Sequence, residues 1–235
     1  MQFVVPAAGE GSRLGTLTDD RPKGLVTVSG RPLLSIVFDT AIDAGATELV
    51  VIVGVGGDQI RHRYGESYRS VPIEYVEQPE PLGLGDAVHR AGERIDTQFA
   101  VLNGDNVFVD PIRPAIERAA DRDVDGVLLV ETATPAVARE TGVVVLDGTE
   151  VIELVEKPED PPTTTITTGC SVLPPGVFPE LERAQPSDRG ELELATGMDR
   201  LIRTGKTIEA VRYHGDRVNV NRPADIETAE QLLEN

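Results

Sequence analysis

A glycine-rich segment with one arginine and one lysine opens the chain, where residues 7–25 read AAGEGSRLGTLTDDRPKGL directly after an apolar stretch. Gly9 and Gly11 permit positive φ and bring no Cβ, so successive backbone N–H groups can turn toward anionic oxygens. Arg13 would supply a planar fork of donors, and Lys23 a mobile point charge. The segment therefore predicts a binding site for a triphosphate.

Three alternatives compete with that prediction, namely two other phosphate-binding motifs and a surface turn without a binding function. A dinucleotide fingerprint needs a helix that opens at the glycines and an acidic residue about 20 positions on. Here Pro22 indicates a non-helical loop, and residues 27–36 contain no Asp or Glu. The nucleotide-kinase loop needs Gly-Lys-Ser/Thr, whereas Lys23 precedes Gly24. The third alternative is a surface turn with solvated Arg and Lys, and Gly9 and Gly11 taken alone would fit such a turn as well as a phosphate site.

Candidate metal ligands lie at the ends of two later strands. The sequence NGDN places Asp105 after the apolar run 99–102, and Asn219 lies near the end of a predicted strand over 217–220. Taken alone, Asp105 reads as a turn residue and Asn219 as a polar residue of an edge strand. Beside a triphosphate, however, such hard oxygens suit Mg²⁺, which uses one or two protein ligands together with phosphates and water. The sequence therefore predicts Mg²⁺ at Asp105.

Three further segments offer groups for a base and for a sugar phosphate. In QPEPLGLGDA, the amide of Gln78 could pair with the edge of a base, although an ordinary turn would read the same. The strand over 151–156 ends in EKP, so Glu156 can accept hydrogen bonds from hydroxyl groups and Lys157 can reach a phosphate. The pairs Thr141-Gly142 and Thr168-Gly169 could line the same pocket with small groups.

Strands and helices alternate in the first half of the chain, and they must position these residues. Apolar runs predict strands, and helical spacing of apolar residues predicts helices. The predicted order is strand 3–6, helix 33–44, strand 49–53, helix 58–64, strand 73–76, helix 85–94 and strand 99–103. Such alternation indicates an α/β fold with a mixed, mainly parallel, Rossmann-like sheet flanked by helices. Ligands of such sheets bind beyond the carboxyl ends of the strands, where the candidate residues fall.

The pattern changes in the second half. Strand-like pieces at 127–130, 143–146, 151–156 and 166–173 predict a hairpin with antiparallel or mixed additions to the sheet, closed by helices over 192–203 and 224–233. No linker separates the halves. We therefore expect one domain over 1–235, with a nucleotide-binding half over about 1–110 and a sugar-phosphate-binding half over about 111–235.

Composition excludes several classes of function. The net charge of −18 argues against nucleic acid as a partner, because phosphate backbones are bound by basic surfaces. No apolar run approaches the roughly 18 residues of a membrane span, and no secretory signal follows Met1, so we expect a cytoplasmic protein without a membrane partner. Cys170 is the single cysteine, which excludes an internal disulfide and a cysteine-based metal cluster. The sequence leaves a homo-oligomer open.

Lysine is scarce in this acidic chain. It occurs only at positions 23, 157 and 206, among 22 basic residues. Scarce lysine with abundant acid indicates a halophilic protein, whose acidic surface is screened at high ionic strength. If the surface mostly avoids lysine, then Lys23 and Lys157 are candidates for functional roles.

Taken together, these segments resemble the sugar-phosphate nucleotidyltransferases, or nucleotide-sugar pyrophosphorylases. The opening string is similar to the family signature G-x-G-x-R-L…P-K. Later blocks follow in the family's order, namely QPEPLGLGDA at 78–87, NGD at 103–105, TGV at 141–143, EKP at 156–158, TG at 168–169 and GELE at 190–193. The resemblance covers essentially the whole chain.

The resemblance implies a role for each candidate residue. It assigns Gly9, Gly11, Arg13 and Lys23 to the triphosphate, Ala8 to the nucleotide, Gln78 and Gly83 to a pyrimidine, and Asp105 and Asn219 to Mg²⁺. Gly142, Glu156 and Gly169 would contact the sugar, Thr168 would line the sugar-phosphate pocket, and Lys157 would bind the phosphate. Arg13, Lys23 and Lys157 would act in catalysis. Many glucose-1-phosphate members carry Asp where this chain has Asn219, which leaves the sugar open. The left-handed β-helix of some relatives is missing, so we expect no acetyltransferase activity.

The implied reaction joins UTP or dTTP to a sugar 1-phosphate, with glucose 1-phosphate expected, and releases pyrophosphate. Uracil and thymine share the pairing edge, so the sequence does not separate the two nucleotides. Two alternatives stay open. One is nucleotidyl transfer to another phosphorylated acceptor on the same fold, and the other is a non-catalytic module that senses a nucleotide sugar.

Overall fold

A computed structural model describes residues 1–121 and 123–234 of the chain. Its strands are β1 (Gln2–Pro6), β2 (Thr27–Val28), β3 (Arg31–Pro32), β4 (Glu48–Val53), β5 (Ser67–Tyr68), β6 (Val71–Glu77), β7 (Phe99–Leu102), β8 (Asn106–Phe108), β9 (Gly126–Thr132), β10 (Gly142–Asp147), β11 (Glu150–Glu156), β12 (Thr165–Leu173), β13 (Ile208–Arg212) and β14 (Arg217–Asn219). Its α-helices are α1 (Leu33–Asp43), α2 (Gly57–Tyr64), α3 (Leu84–Arg90), α4 (Arg113–Ala119), α5 (Pro135–Ala138), α6 (Val177–Arg183), α7 (Leu194–Arg203) and α8 (Pro223–Leu233). Short 3-10 helices cover Ser12–Thr18, Lys23–Leu25 and Ala91–Arg94.

Most strands of the described residues belong to one sheet, in the order β10-β11-β13-β9-β12-β7-β1-β4-β6-β5. The strands of both halves of the chain thus form a continuous surface. Two ribbons stand apart from it, one of β2 with β3 and one of β8 with β14. The second ribbon joins the chain just after Asp105 to a segment more than a hundred residues later, through the antiparallel pair of Asn106 with Asn219.

The first half is built as the sequence predicts. Strand β1 lies between β4 and β7 and runs parallel to both, and β4 runs parallel to β6. The apolar residues of β1 and β4 are fully buried because helices cover both faces of a parallel sheet. Parallel strands end at the same edge, so the segments after β1, β4, β6 and β7 all meet there.

The second half adds mainly antiparallel strands. Strand β12 pairs antiparallel with β7 and β9, and β10 and β11 form the predicted hairpin. Strand β13 returns parallel to β9. The sequence did not predict strands β2, β3, β5, β8 and β13 or helices α4, α5 and α6. Each of them has at most seven residues, too few for a hydrophobic period to stand out.

Alternating side chains of the sheet form a core on each face. Phe3 and Val5 of β1 pack toward α1, whereas Val4 packs on the opposite face toward α3, α6 and α7. A third apolar cluster lies under the ribbon of β8 and β14, where Leu14 of the opening segment meets Val107 and Val218. This cluster anchors the opening segment next to Asp105. Within the described residues, no helix is long and apolar enough to cross a membrane.

Candidate active site

The opening segment leaves β1 as a loop that is tied back to its own glycines. The 3-10 helix over Ser12–Thr18 is interrupted at Gly15, where φ is 59° and ψ is −134°. The Thr18 hydroxyl donates to the carbonyl oxygens of Gly11 and Gly15, at 3.2 and 3.1 Å. Gly11 adopts a φ of 68°, whereas Gly9 does not adopt a positive φ. The expectation of a non-helical loop is confirmed, but of the two glycines only Gly11 uses the left-handed freedom.

Gly11 is required by the packing of Lys23. A Cβ at position 11 would lie 2.9 Å from the Lys23 Cβ, which is closer than real Cβ atoms approach other heavy atoms, and a tight 3.0 Å from the Thr18 Cγ2. The loop therefore folds directly onto the lysine. Lys23 is only 8% exposed, and a buried ammonium needs partners.

Those partners are Asp105 and Asn221. The Lys23 Nζ donates to Asp105 Oδ2 at 2.7 Å and to Asn221 Oδ1 at 2.8 Å. Asn221 is held in turn, because its backbone N–H donates to the Asp225 carboxylate at 2.8 Å. The structure thus brings a predicted phosphate ligand and a predicted metal ligand into contact across 82 residues of sequence.

Two cavities meet at Asp105. The smaller, which we call the loop cavity, has a volume of about 300 Å³, and its lining includes Ala8, Gly9, Lys23, Gln78, Gly83 and Asp105. The larger, which we call the sheet cavity, has a volume of about 600 Å³, and its lining includes Arg13, Asp105, Gly142, Glu156, Lys157, Thr168, Gly169 and Asn219. Every predicted site residue except Gly11 therefore lines one of two adjoining cavities, and Gly11 lies behind Lys23.

The amide of Gln78 has a fixed orientation in the loop cavity. Its Nε2 donates to the Gly83 carbonyl oxygen at 3.0 Å and to Asp86 Oδ2 at 2.8 Å. Both partners are acceptors, so the amide must turn its NH₂ toward them and its carbonyl oxygen away. Gln78 is buried but lines the loop cavity, and because its NH₂ group is already bonded, it can offer a ligand its carbonyl oxygen, an acceptor.

Gly83 is needed for chain packing. Its φ is 102°, and a Cβ there would lie 2.6 Å from the Leu192 carbonyl oxygen. The backbone on either side is bonded to the same residue, since Leu192 N donates to Leu82 O and Gly85 N donates to Leu192 O, both at 2.7 Å. The GELE segment at 190–193 thus packs against the turn at Gly83, and its Glu191 lines the loop cavity.

A carboxylate and an ammonium stand side by side in the sheet cavity. Lys157 Nζ lies 3.3 Å from Glu156 Oε1, and the Lys157 side chain is 35% exposed. Burial raises the pKa of Glu156, and the nearby Lys157 ammonium partly opposes that rise. A Cβ at Gly142 would lie 3.0 Å from Glu156 Oε2, so the glycine keeps the carboxylate accessible.

The predicted role of Thr168 in sugar binding conflicts with its hydrogen bond. Its side chain is 1% exposed and its hydroxyl donates to the Leu129 carbonyl oxygen at 2.9 Å, inside the sheet. The neighbouring Thr167 is half-buried, lines the same cavity, and has its hydroxyl 3.1 Å from where a Gly142 Cβ would stand. Gly169, with a φ of 81°, makes room for the side chains of Asn103 and Asn106.

The donors beside Asp105 fit Mg²⁺. Asp105 and Asn219 both line the sheet cavity, and the Val220 N–H donates to the Asp105 carbonyl oxygen at 2.8 Å. Carboxylate and amide oxygens are hard ligands of the kind that Mg²⁺ prefers. Among the described residues, no cluster of three or more His, Cys, Asp or Glu could hold a metal ion. A Mg²⁺ at this position would therefore share its coordination with substrate phosphates and water.

Arg13 occupies the rim of the sheet cavity. It is exposed, and in the described part of the chain its guanidinium has neither a hydrogen-bond nor an ion-pair partner. Its five donors are available to an anion.

Three polar residues at the site were not predicted from the sequence. Asn106 and Arg217 bond to each other beside Asp105, and Asn221 bonds to Lys23. One signal was present, because Arg217, Asn219 and Asn221 alternate along one strand-like stretch and share a face.

Comparison with known proteins agrees with this geometry. The family model for nucleotidyl transferases matches residues 3–216. The chain is 41% identical over 235 residues to the UTP–glucose-1-phosphate uridylyltransferase AglF of Haloferax volcanii, covering 100% of this chain and 97% of that protein. It is 34% identical over 238 residues to the low-salt glycan biosynthesis nucleotidyltransferase Agl11 of the same organism, covering 99% of this chain and 66% of that protein.

The fold is shared with solved structures. A UDP-glucose pyrophosphorylase complexed with UDP-glucose superposes with a TM-score of 0.89 at 21% identity, over 98% of this chain and 97% of that one. At this identity the similarity concerns the fold alone, and it confirms the mixed α/β class predicted from the sequence.

Proposed function

The chain belongs to the nucleotidyl transferase family, and from that premise we propose that it joins UTP to glucose 1-phosphate, giving UDP-glucose and pyrophosphate. The observation that carries the proposal is that two cavities, each large enough for part of a nucleotide sugar, meet at Asp105 and Lys23. The full-length similarity to AglF, a UTP–glucose-1-phosphate uridylyltransferase, supports this choice of substrates.

We assign the loop cavity to the nucleotide. The fixed Gln78 amide offers its carbonyl oxygen, which can accept a hydrogen bond from the ring N–H of uracil. Cytosine has an acceptor at the same ring position, so two acceptors would face each other and one would stay unpaired. The orientation therefore favours UTP over CTP.

We assign the sheet cavity to the sugar phosphate. Glu156 can accept hydrogen bonds from sugar hydroxyl groups, and Lys157 can pair with the phosphate. The chain would thus be divided as its sequence predicts, with residues up to about 110 mainly on the nucleotide and later residues mainly on the sugar.

In the proposed reaction, a phosphate oxygen of glucose 1-phosphate attacks the α-phosphorus of UTP in line. A new P–O bond forms there as the bond from the α-phosphorus to the bridging β-phosphate oxygen breaks, and pyrophosphate leaves with that electron pair. Lys157 offsets the repulsion between the two anionic reactants. Lys23 and Arg13 stabilise the negative charge that develops on the pyrophosphate.

Lys23 has two positions available to it in this scheme. Without substrate its ammonium neutralises Asp105, at 2.7 Å. The same ammonium can turn to the triphosphate when Asp105 and Asn219 hold Mg²⁺. When bound, Mg²⁺ would neutralise charge on the triphosphate oxygens.

The test is a matrix of substrates. The purified protein is incubated at high KCl with MgCl₂, with UTP, dTTP or CTP against glucose 1-phosphate, N-acetylglucosamine 1-phosphate or an alcohol phosphate, and products are separated by chromatography. We expect UDP-glucose and pyrophosphate to form fastest, and CTP to be poorest. Faster turnover with the alcohol phosphate would contradict the proposed acceptor, and tight binding of UDP-glucose without pyrophosphate formation in any mixture would make the protein a sensor.

A further inference from the structure

A row of hydrogen-bonded side chains runs from the large sheet to Asp105. Asp105 Oδ1 accepts a hydrogen bond from Asn106 Nδ2 at 3.2 Å, and Asn106 Oδ1 accepts one from Arg217 Nη1 at 2.5 Å. The Arg217 guanidinium is paired with Glu131. We call Glu131, Arg217, Asn106 and Asp105 the relay. Asn106 is 1% exposed and the Arg217 side chain 9%, so these bonds are shielded from water.

The relay fixes which way the Asn106 amide faces. Arginine has donors and no acceptor, so Asn106 must turn its carbonyl oxygen toward Arg217. Its NH₂ group then necessarily faces the Asp105 carboxylate. Arg217 cannot rotate away, because Glu131 on β9 accepts from its Nη2 and, at 3.3 Å, from its Nε.

Over the residues that the structure describes, the Asp105 carboxylate has two side-chain partners, Asn106 and Lys23, and only Asn106 can stay with it during the proposed reaction. The other carboxylate oxygen, Oδ2, is bonded to Lys23, whose ammonium is needed at the triphosphate. Once Lys23 turns away, Oδ2 becomes available to a cation while Oδ1 remains held by Asn106. A carboxylate held in this way keeps its rotamer, and outer partners of this kind typically change metal affinity by about 10- to 100-fold.

We propose that Asn106 and Arg217 are positioning residues that hold the Asp105 carboxylate in the orientation that binds the divalent cation. The inference rests on the proposed function, because it takes Asp105 as a cation ligand. Arg217 acts through Asn106 and does not touch the substrate. Although it lines the sheet cavity, its Nε, Nη1 and Nη2 atoms are each bonded to Glu131 or Asn106.

The test measures binding of Mn²⁺ by electron paramagnetic resonance, with and without UTP, and in parallel the steady-state constants. In N106L the apolar side chain has a similar shape but makes neither bond, and we expect Mn²⁺ to bind about tenfold more weakly. R217M, combined with E131Q so that no carboxylate is left unpaired, should weaken Mn²⁺ binding by a similar factor. When N106L is already present, R217M with E131Q should not weaken Mn²⁺ binding any further, because the amide through which Arg217 acts is gone.

The matched control is R212M, which removes an exposed arginine of β13 whose side chain bonds only weakly, to Thr132 at 3.4 Å. It should leave Mn²⁺ affinity unchanged. Thermal unfolding checks that each variant folds, and R217K, which keeps the charge, replaces R217M if that variant does not. With R217K we expect an intermediate loss of Mn²⁺ affinity.

Three results would overturn the inference. The first is an unchanged Mn²⁺ affinity in N106L. The second is that the losses of Mn²⁺ affinity caused by N106L and by R217M with E131Q multiply when the substitutions are combined. The third is a raised KM for glucose 1-phosphate in R217M without a change in Mn²⁺ affinity. The last would make Arg217 a substrate ligand. If the proposed function were wrong, the wild-type protein would not form UDP-glucose. The Mn²⁺ affinities of the variants could still be compared, so the two failures are distinguishable.

Discussion

The two cavities each contain a lysine–carboxylate pair, and the pairs are built in opposite ways. Lys23 and Asp105 are 82 residues apart, lie 2.7 Å from each other, and leave the lysine side chain 10% exposed. Lys157 and Glu156 are sequence neighbours at 3.3 Å, and the lysine side chain is 35% exposed. Charges shielded from water interact more strongly than solvated ones. The loop-cavity pair should therefore dominate catalysis, and the sheet-cavity pair should mainly affect sugar-phosphate binding.

Replacing Lys23 tests that ranking most severely. We expect K23M to lose about 10²- to 10³-fold in kcat, as when one preorganised donor is removed from a transition state. Asp105 would also lose its ammonium partner, so we expect a lower Tm. K206M is the control, because Lys206 pairs with Asp125 on the surface. Turnover of K23M within tenfold of wild type would contradict the assigned role.

Arg13 tests the same cavity junction without disturbing the fold. Because its guanidinium is exposed, R13A should fold normally yet lose about 10²- to 10³-fold in turnover, equivalent to roughly 2.7–4 kcal/mol of transition-state stabilisation. The matched control is R21A, since Arg21 is an exposed arginine of the same segment that pairs with Asp20. Both variants are compared by pyrophosphate release at saturating substrate. Equal activities of R13A and R21A would remove Arg13 from the mechanism.

The family and the mixed α/β fold could be predicted because their signals are local and repeated. Apolar runs of parallel strands and the ordered motifs each reach across only a few residues. Lys23 stood out for a different reason, because lysine is scarce in this chain. Its partner Asn221 could not be predicted, because the hydrogen bond between Asn221 and Lys23 depends on how two segments 198 residues apart pack together. Assignment of the individual site residues stays a prediction.

The adjacent threonines Thr167 and Thr168 of β12 show why the rest of the site could not be predicted. Counting alternate residues assigns side chains to faces only where a strand is regular. Strand β12 has a register shift between Thr167 and Ser171, and such a shift ends the alternation. The alternation still holds at Thr167, which is half-buried, and at Thr168, which is buried, and the in-strand Gly169, with a φ of 81°, marks the shift. Which of the two faces meets the sheet cavity depends on how β12 packs between β7 and β9, so the motif alone does not say which threonine faces a ligand.

Lys157 should give a smaller and differently placed effect than Lys23. We expect K157M to raise KM for glucose 1-phosphate by about tenfold, equivalent to roughly 1.4 kcal/mol, with little change in kcat. Because the side chain is partly solvated, the effect should shrink as salt is added. The measurement is KM for both substrates across a KCl series, with K206M as control. A large loss in kcat that salt does not alter would erase the contrast between the two pairs.

Glu156 provides the smallest expected effect, seen in stability rather than turnover. Burial raises the pKa of this carboxyl above its ordinary value of 4.5, so the folded state favours the protonated form. The resulting stabilisation is fully present below that ordinary value and is lost as pH rises through the raised pKa. E156Q cannot titrate, so the Tm of wild type minus that of E156Q should be largest in acid and should decline toward neutral pH. E153Q is the control, because Glu153 is exposed on the same strand, and it should show no such trend. A difference in Tm between wild type and E156Q that does not change with pH would contradict the desolvation of Glu156.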